Sequence, residues 1–321
     1  MRETPAYLTV AALFIAVVAV SSSAPLIAFA AAPALAVAFW RNAIAFAALT
    51  PISAGPRRAE VRTLLSADGL YCVLAGVALA AHFATWMPSV QLGSVATATA
   101  LVATQPVWQG LLAAALPSWS RVRGGSPSRL GWAGILLAVI GVAWATGVDI
   151  GVSAQAVVAD VLALLGAMAA AVYTAFGERA RARLSTTTYT WACYGTCAAL
   201  LLAVCLIAGV RMTGYDQRTW AAILALVIGA QLLGHSMFNY ALHRVTATTV
   251  SVLILLEVPG AALLAWAWLG QTPRAEALPG LALLVVGVAV VILAGARSRS
   301  AATASASLAD AADPTPSGAG H

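Results

Sequence analysis

Gly76-x5-His82, Gln105-Pro106 and Gly134-x6-Gly141-Val142-Ala143 follow one another in the first half of this 321-residue chain. The second half repeats the order with Gly229-x5-His235, Glu257-Val258-Pro259 and Gly280-x6-Gly287-Val288-Ala289. The glycine–histidine pairs stand 153 residues apart and the glycine pairs 146 apart, so the copies differ mainly in one loop. A repeat this long in an apolar chain predicts a membrane protein of two homologous halves.

Composition agrees. Hydrophobic residues make up 61% and charged residues 9%, against roughly 25% charged in a soluble domain. Ten apolar stretches are long enough for the about 20 helical residues that cross a hydrocarbon core. In the first half they are Tyr7–Ala30, Pro33–Pro51, Gly69–Val90, Val95–Leu116 and Leu130–Val148. In the second they are Val157–Phe176, Thr188–Val210, Trp220–Leu242, Thr246–Leu269 and Leu278–Ala294. Lipid offers no partners to backbone N–H and C=O groups, so each must be a helix. The expected fold is therefore an all-α integral membrane protein of ten transmembrane helices. Residues 1–149 and 150–296 form the two five-helix units, and 297–321, rich in Ser, Ala, Asp, Pro and Gly, reads as a disordered cytoplasmic tail. Five spans is an odd number, so the second unit enters the membrane from the opposite side and the repeats are inverted. The first apolar stretch is too long for the core of a cleaved signal and is read as a retained span.

The formal charge of +6 is sorted by topology. With the N-terminus inside, 13 of the 17 basic residues face the cytoplasm, Arg211, Arg218 and Arg274 face out, and Arg41 lies within a span. That excess places both termini in the cytoplasm, and there is no basic stripe for nucleic acid. Cys72, Cys193, Cys197 and Cys205 fall in or at the ends of spans without a histidine at metal-site spacing, so they read as packing and no metal or other cofactor is expected.

A charged group at the bilayer centre costs about 2.5–3.5 kcal/mol on insertion scales, so each needs a reason. Arg41, His82, His235 and Glu257 are the strongest cases. Glu257 is the only acid near the middle of a span, and Pro259 two residues on predicts a bend with a freed carbonyl beside it. Gln231, His235 and Asn239, spaced by four, make one polar stripe on the eighth span, and His235 is placed to share a proton with Glu257. His82 and Trp86 form the matching face of the third span, where the indole could stack on a planar or cationic solute. Arg41 could clamp a carboxylate with two hydrogen bonds. Each has a plainer use, as packing or as hydrogen bonds between helices worth about 0.6–2 kcal/mol. Gly134, Gly141, Gly280 and Gly287 read as seams for close helix approach, within the chain or between the protomers of a homodimer.

Ala81-His82-Phe83-Ala84-Thr85-Trp86, Thr104-Gln105-Pro106-Val107, Gly234-His235-Ser236-Met237-Phe238-Asn239 and Leu256-Glu257-Val258-Pro259 together resemble the EamA-type family of the drug/metabolite transporter superfamily. Ser21-Ser22-Ser23-Ala24-Pro25 and Phe39-Trp40-Arg41 are similar to its first two spans, and the resemblance covers about residues 7 to 296. It implies an inner-membrane secondary transporter, typically an exporter of amino acids or similar small-molecule solutes, surrounded by membrane lipid. Two positions depart: Gln271 follows Gly270 where the family commonly has Glu, and Gln105 stands where the second repeat has Glu257. An uncoupled facilitator in the same fold is the main alternative. An intramembrane enzyme is a distant one, since no zinc motif or nucleophile elbow is present.

Overall fold

The computed structural model describes residues 6–65, 67–93, 95–116, 126–147, 153–260, 263–264 and 275–312, and all regular structure among them is helical. The first span is α1 (Ala6–Ser21) followed by α2 (Ser23–Phe29). They part where the Ser21 and Ser22 hydroxyls donate back to the Val17 and Ala19 carbonyls at 2.7 and 2.8 Å. Next come α3 (Ala34–Ala54), a short α4 (Arg58–Arg62), α5 (Ala67–Leu92), α6 (Val95–Val102), α7 (Gln105–Ala115) and α8 (Arg129–Thr146). The second half has α9 (Ala154–Arg181), α10 (Thr186–Ile207), α11 (Gln217–Ala241, a π-helix through Val227–His235), α12 (Ala247–Ile254) and α13 (Leu278–Ala312). Several begin on polar caps: Ser128, Ser153, Ser185, Asp216 and Thr246 each accept the N–H three residues ahead, a contact worth typically about 1 kcal/mol.

Among the described residues eight helices are long and apolar enough to cross a membrane, and the protein is a membrane protein. Of the ten expected spans, the fourth and ninth are not single helices. The fourth is α6 and α7 joined by a turn at Ala103-Thr104. The ninth is α12, a turn at Leu255-Leu256 and a resumed helix over 257–260; part of its remainder lies outside the described residues. The cause is the same in both. Pro106 and Pro259 have no N–H for the ladder, and Val107 and Val258 tighten to the carbonyls three residues back, Thr104 and Leu255. The tail also differs from expectation. Residues 297–312 continue α13, because an Ala-rich run costs little to keep helical once a long helix precedes it; 313–321 lie outside the described residues.

Four long pairings build the bundle, α1 with α11, α3 with α10, α5 with α9 and α8 with α13, and each joins the first half to the second. In the α8–α13 seam a Cβ on Gly134 would meet Gly287 O and Val291, and one on Gly141 would meet Gly280 O and Leu284. Residue numbers fall on one helix as they rise on the other, so these equivalent helices run antiparallel. The glycine seam is thus used within the chain and is closed to a second copy. The other faces of these helices are apolar and outward, with Phe14, Ile140 and Ile292 exposed. At one end Glu60, in the first turn of α4, ties the halves together. Its carboxylate accepts from Ser185 N–H and Oγ and from Thr188 Oγ1, the hydroxyls at 2.7 and 2.8 Å, capping α10.

Candidate functional site

The two helix breaks meet at one cavity. Val102, Ala103 and Gln105 come to its wall from the first break, Ile254, Leu255 and Glu257 from the second, with α5, α9 and α11 closing the sides. Five of the seven residues singled out from sequence line it: His82, Trp86, His235, Asn239 and Glu257. Among the described residues Glu257 is the only charged group on its wall.

His82 is buried, and its Nδ1 lies 2.9 Å from the Gly166 carbonyl. A carbonyl only accepts, so Nδ1 carries the proton and Nε2 of the neutral ring is left as an acceptor. That approach needs a glycine: a Cβ at position 166 would stand 3.0 Å from Trp86 Cβ. His82 and Trp86 are parallel, ring centroids 5.6 Å apart at 9°, as expected of residues one turn apart on α5. The Trp86 indole N–H is buried without a partner among the described residues. His235 instead sits against Phe83 at 5.7 Å and Tyr173 at 6.1 Å. Neither His235 nor Glu257 hydrogen-bonds to a described residue, so no direct His235–Glu257 bond is present. Asn239 Nδ2 donates to Tyr173 Oη at 2.7 Å, and Gln105 Nε2 donates to Ser251 Oγ at 3.2 Å. Gln105 Nε2, which also reaches Thr174 Oγ1 at 3.5 Å, has both N–H groups engaged, whereas Asn239 Nδ2 keeps one, so the wall offers a solute rings, acceptors and the open donors of Asn239 and Trp86.

Arg41 and Gln231 lie elsewhere. Both are fully buried and neither lines the cavity. Gln231 Oε1 accepts from Arg41 Nε at 2.8 Å, and its Nε2 donates to Asn42 Oδ1 at 2.9 Å. The expected single stripe of Gln231, His235 and Asn239 is split because Gln231 and His235 fall in the π-helical part of α11, where four residues no longer complete a turn. The Arg41 guanidinium lies over the Phe83 ring, 4.4 Å from its centroid, and Nη1 and Nη2 have no hydrogen-bond partner among the described residues. One charge-assisted hydrogen bond (about 1.5–3 kcal/mol) and one cation–π contact (about 0.5–2 kcal/mol) stand against several kcal/mol for burying an ion. Arg41 is held at a deficit.

Sequence reasoning passed over Gln105, Thr174, Phe238 and Phe83. Gln105 was marked by its place in the repeat, opposite Glu257; Thr174, Phe238 and Phe83 carry no signal distinguishing them from packing. Tyr173 proves to be the hydrogen-bond partner of Asn239. Cys193 and Cys197 are buried in the core, as read, and Gln271 lies outside the described residues.

The comparisons with known proteins reach the second half by sequence and nearly the whole chain by shape. Residues 157–293 match the EamA-like transporter family. That unit belongs to this family. The family is part of the drug/metabolite transporter superfamily, and this EamA-like unit contains α9 to α12 and most of the apolar part of α13. One crystal structure of a protein superposes with a TM-score of 0.74 over 92% of this chain and 99% of its own, at 23% identity; that likeness concerns the fold. No curated protein matches.

Proposed function

We propose that this chain is a secondary transporter, rather than an enzyme, that exports amino acids or similar small metabolites across the inner membrane. The observation that carries the reading is the cavity itself. Two helices broken at equivalent places in the two halves meet there, and discontinuous helices in corresponding positions mark the binding sites of repeat-built carriers. The antiparallel run of α8 and α13 supports inverted repeats, which allow one half to rock against the other and expose the cavity to each side in turn. In this reading His82, Trp86, His235, Asn239 and Glu257 bind the solute. Glu257 and His235 exchange protons with water and couple flux to the proton gradient. Both termini are cytoplasmic.

The test is counterflow in proteoliposomes preloaded with pooled amino acids, with and without a pH gradient. Label accumulation that rises with the gradient in wild type, and loses that dependence in Glu257→Gln, is the expected result. Equal flux with and without the gradient, unchanged in Glu257→Gln, would make the protein an uncoupled facilitator. No accumulation from any pool would sink transport of these solutes.

A further inference from the structure

We propose that Arg41 is a carboxylate-binding group closed off behind Phe83, which the solute must displace to seat its carboxylate on Nη1 and Nη2. Identifying the ligand with the transported solute rests on the function proposed above; the site itself rests on geometry. Arg41 has no exposure to solvent and, among the described residues, forms no ion pair and leaves both terminal nitrogens without hydrogen-bond partners. A buried guanidinium in this state lacks the anion that its charge and flat fork are shaped to take. It is also held ready. Asn42 Nδ2 donates to Ala38 O at 2.8 Å and its Oδ1 accepts from Gln231 Nε2, while Gln231 Oε1 takes the Arg41 Nε proton. This chain of amides fixes the guanidinium by Nε and keeps both Nη groups out of protein hydrogen bonds.

Phe83 is the partition. Its ring packs under the guanidinium at 4.4 Å and meets His235, a wall residue of the cavity, at 5.7 Å in a T-shaped contact. Phe83 is fully buried and does not line the cavity. Rotation of this one ring opens Arg41 to the cavity that contains Glu257. A solute with an amine and a carboxylate then meets the acid on the wall and the fork behind the displaced ring. The breaks themselves offer an anion little, since Pro106 and Pro259 bring no N–H and Val107 and Val258 have already given theirs.

The experiment uses the full chain in detergent with two probe pools, amino acids and the matching amines that lack the carboxylate. Melting temperature is followed for wild type, Arg41→Met and Phe83→Ala. Modification of Arg41 by phenylglyoxal is read by peptide mass spectrometry. The expected result is that amino acids raise the wild-type melting temperature and amines do not. Arg41→Met should remain folded without solute, because it removes an uncompensated buried charge, yet weaken amino-acid binding about tenfold or more. Phe83→Ala should expose Arg41 to the reagent, and amino acids should protect it. Equal shifts from both pools in wild type, or an Arg41 that stays unmodified in Phe83→Ala, would overturn the proposal. Sodium acetate alone protecting Arg41 as well as the amino acids do would assign the site to a free anion and overturn its link to the solute. Because none of these readings requires flux, failure of counterflow would sink the transport reading separately.

Discussion

Gly141→Ala puts a methyl group where α13 passes. Its Cβ would lie 2.4 Å from Leu284 N, 2.7 Å from Gly280 O and 2.8 Å from Leu284 Cα. All three are backbone atoms, so no side chain can rotate away. Ordinary contact begins near 3.4 Å, so α8 and α13 must part by about 1 Å at this level, loosening a seam that is otherwise close-packed. Overpacking of this kind costs about 1–3 kcal/mol, offset by the about 0.5–1 kcal/mol that alanine gains over glycine inside a helix. The net expectation is a loss of about 1–2 kcal/mol, a melting temperature lower by a few degrees. Gly287→Ala meets Ala138 N at the same 2.4 Å and should cost as much. The double variant should cost less than the sum, since either change already separates the helices. Gly229→Ala is the control: its nearest neighbour is Ser22 Oγ at 3.6 Å, which leaves room. The buried thiols of Cys72, Cys193, Cys197 and Cys205 provide the assay, reacting with a thiol dye only as the bundle opens. If Gly141→Ala melts with wild type while Gly229→Ala does the same, the seam is not the close contact described here.

Glu60 supplies a pH prediction. Burial pushes its carboxyl up, but the Ser185 N–H, the Ser185 and Thr188 hydroxyls and Arg57 together outweigh that and hold it below its ordinary 4.5. A depressed folded-state value stabilises the fold at pH above 4.5 and is lost as pH falls through the lowered value. Glu60→Gln should therefore melt below wild type at pH 7, with the gap closing in acid; a gap that stays constant down to pH 3 would show that the charge contributes nothing. At the breaks, Pro106→Ala and Pro259→Ala restore an N–H to the ladder. Both stand in the first turn of a restarted helix, where proline is tolerated, so a higher melting temperature marks a break that has closed into continuous helix, and closure should lower counterflow. Higher stability with undiminished flux would mean that the breaks are not needed for transport.

The fold was legible where spacing alone decides it. Gly134, Gly141, Gly280 and Gly287 announce close-approach seams because small residues two turns apart can do little else in lipid. Whether the seam joins helices or protomers depends on where α8 and α13 lie, which no local pattern carries. The broken spans were half legible. Pro259 signalled a bend, but apolar residues continue past it, and hydropathy counts the residues without registering that the helix restarts. Residues 297–312 misled in the opposite sense, since low hydropathy reads as disorder although alanine extends a helix at little cost.

The site divides along a similar line. His82, Trp86, His235 and Glu257 were found because polar or aromatic groups at mid-span need a partner or a solute, and all four converge on one cavity, the two histidines from repeat-related positions. Gln231 was assigned to the wrong neighbour because counting by four assumes an α-helix. The π-helical stretch Val227–His235 turns Gln231 toward Arg41 and leaves His235 and Asn239 on the cavity. That split has a consequence for mechanism. Acid and cation, which sequence placed in one substrate site, are apart: Glu257 lines the cavity, and Arg41 lies outside it behind Phe83, which packs against His235. An α11 restored to regular α-helix would take Gln231 off Arg41 and release the guanidinium from its fixed pose.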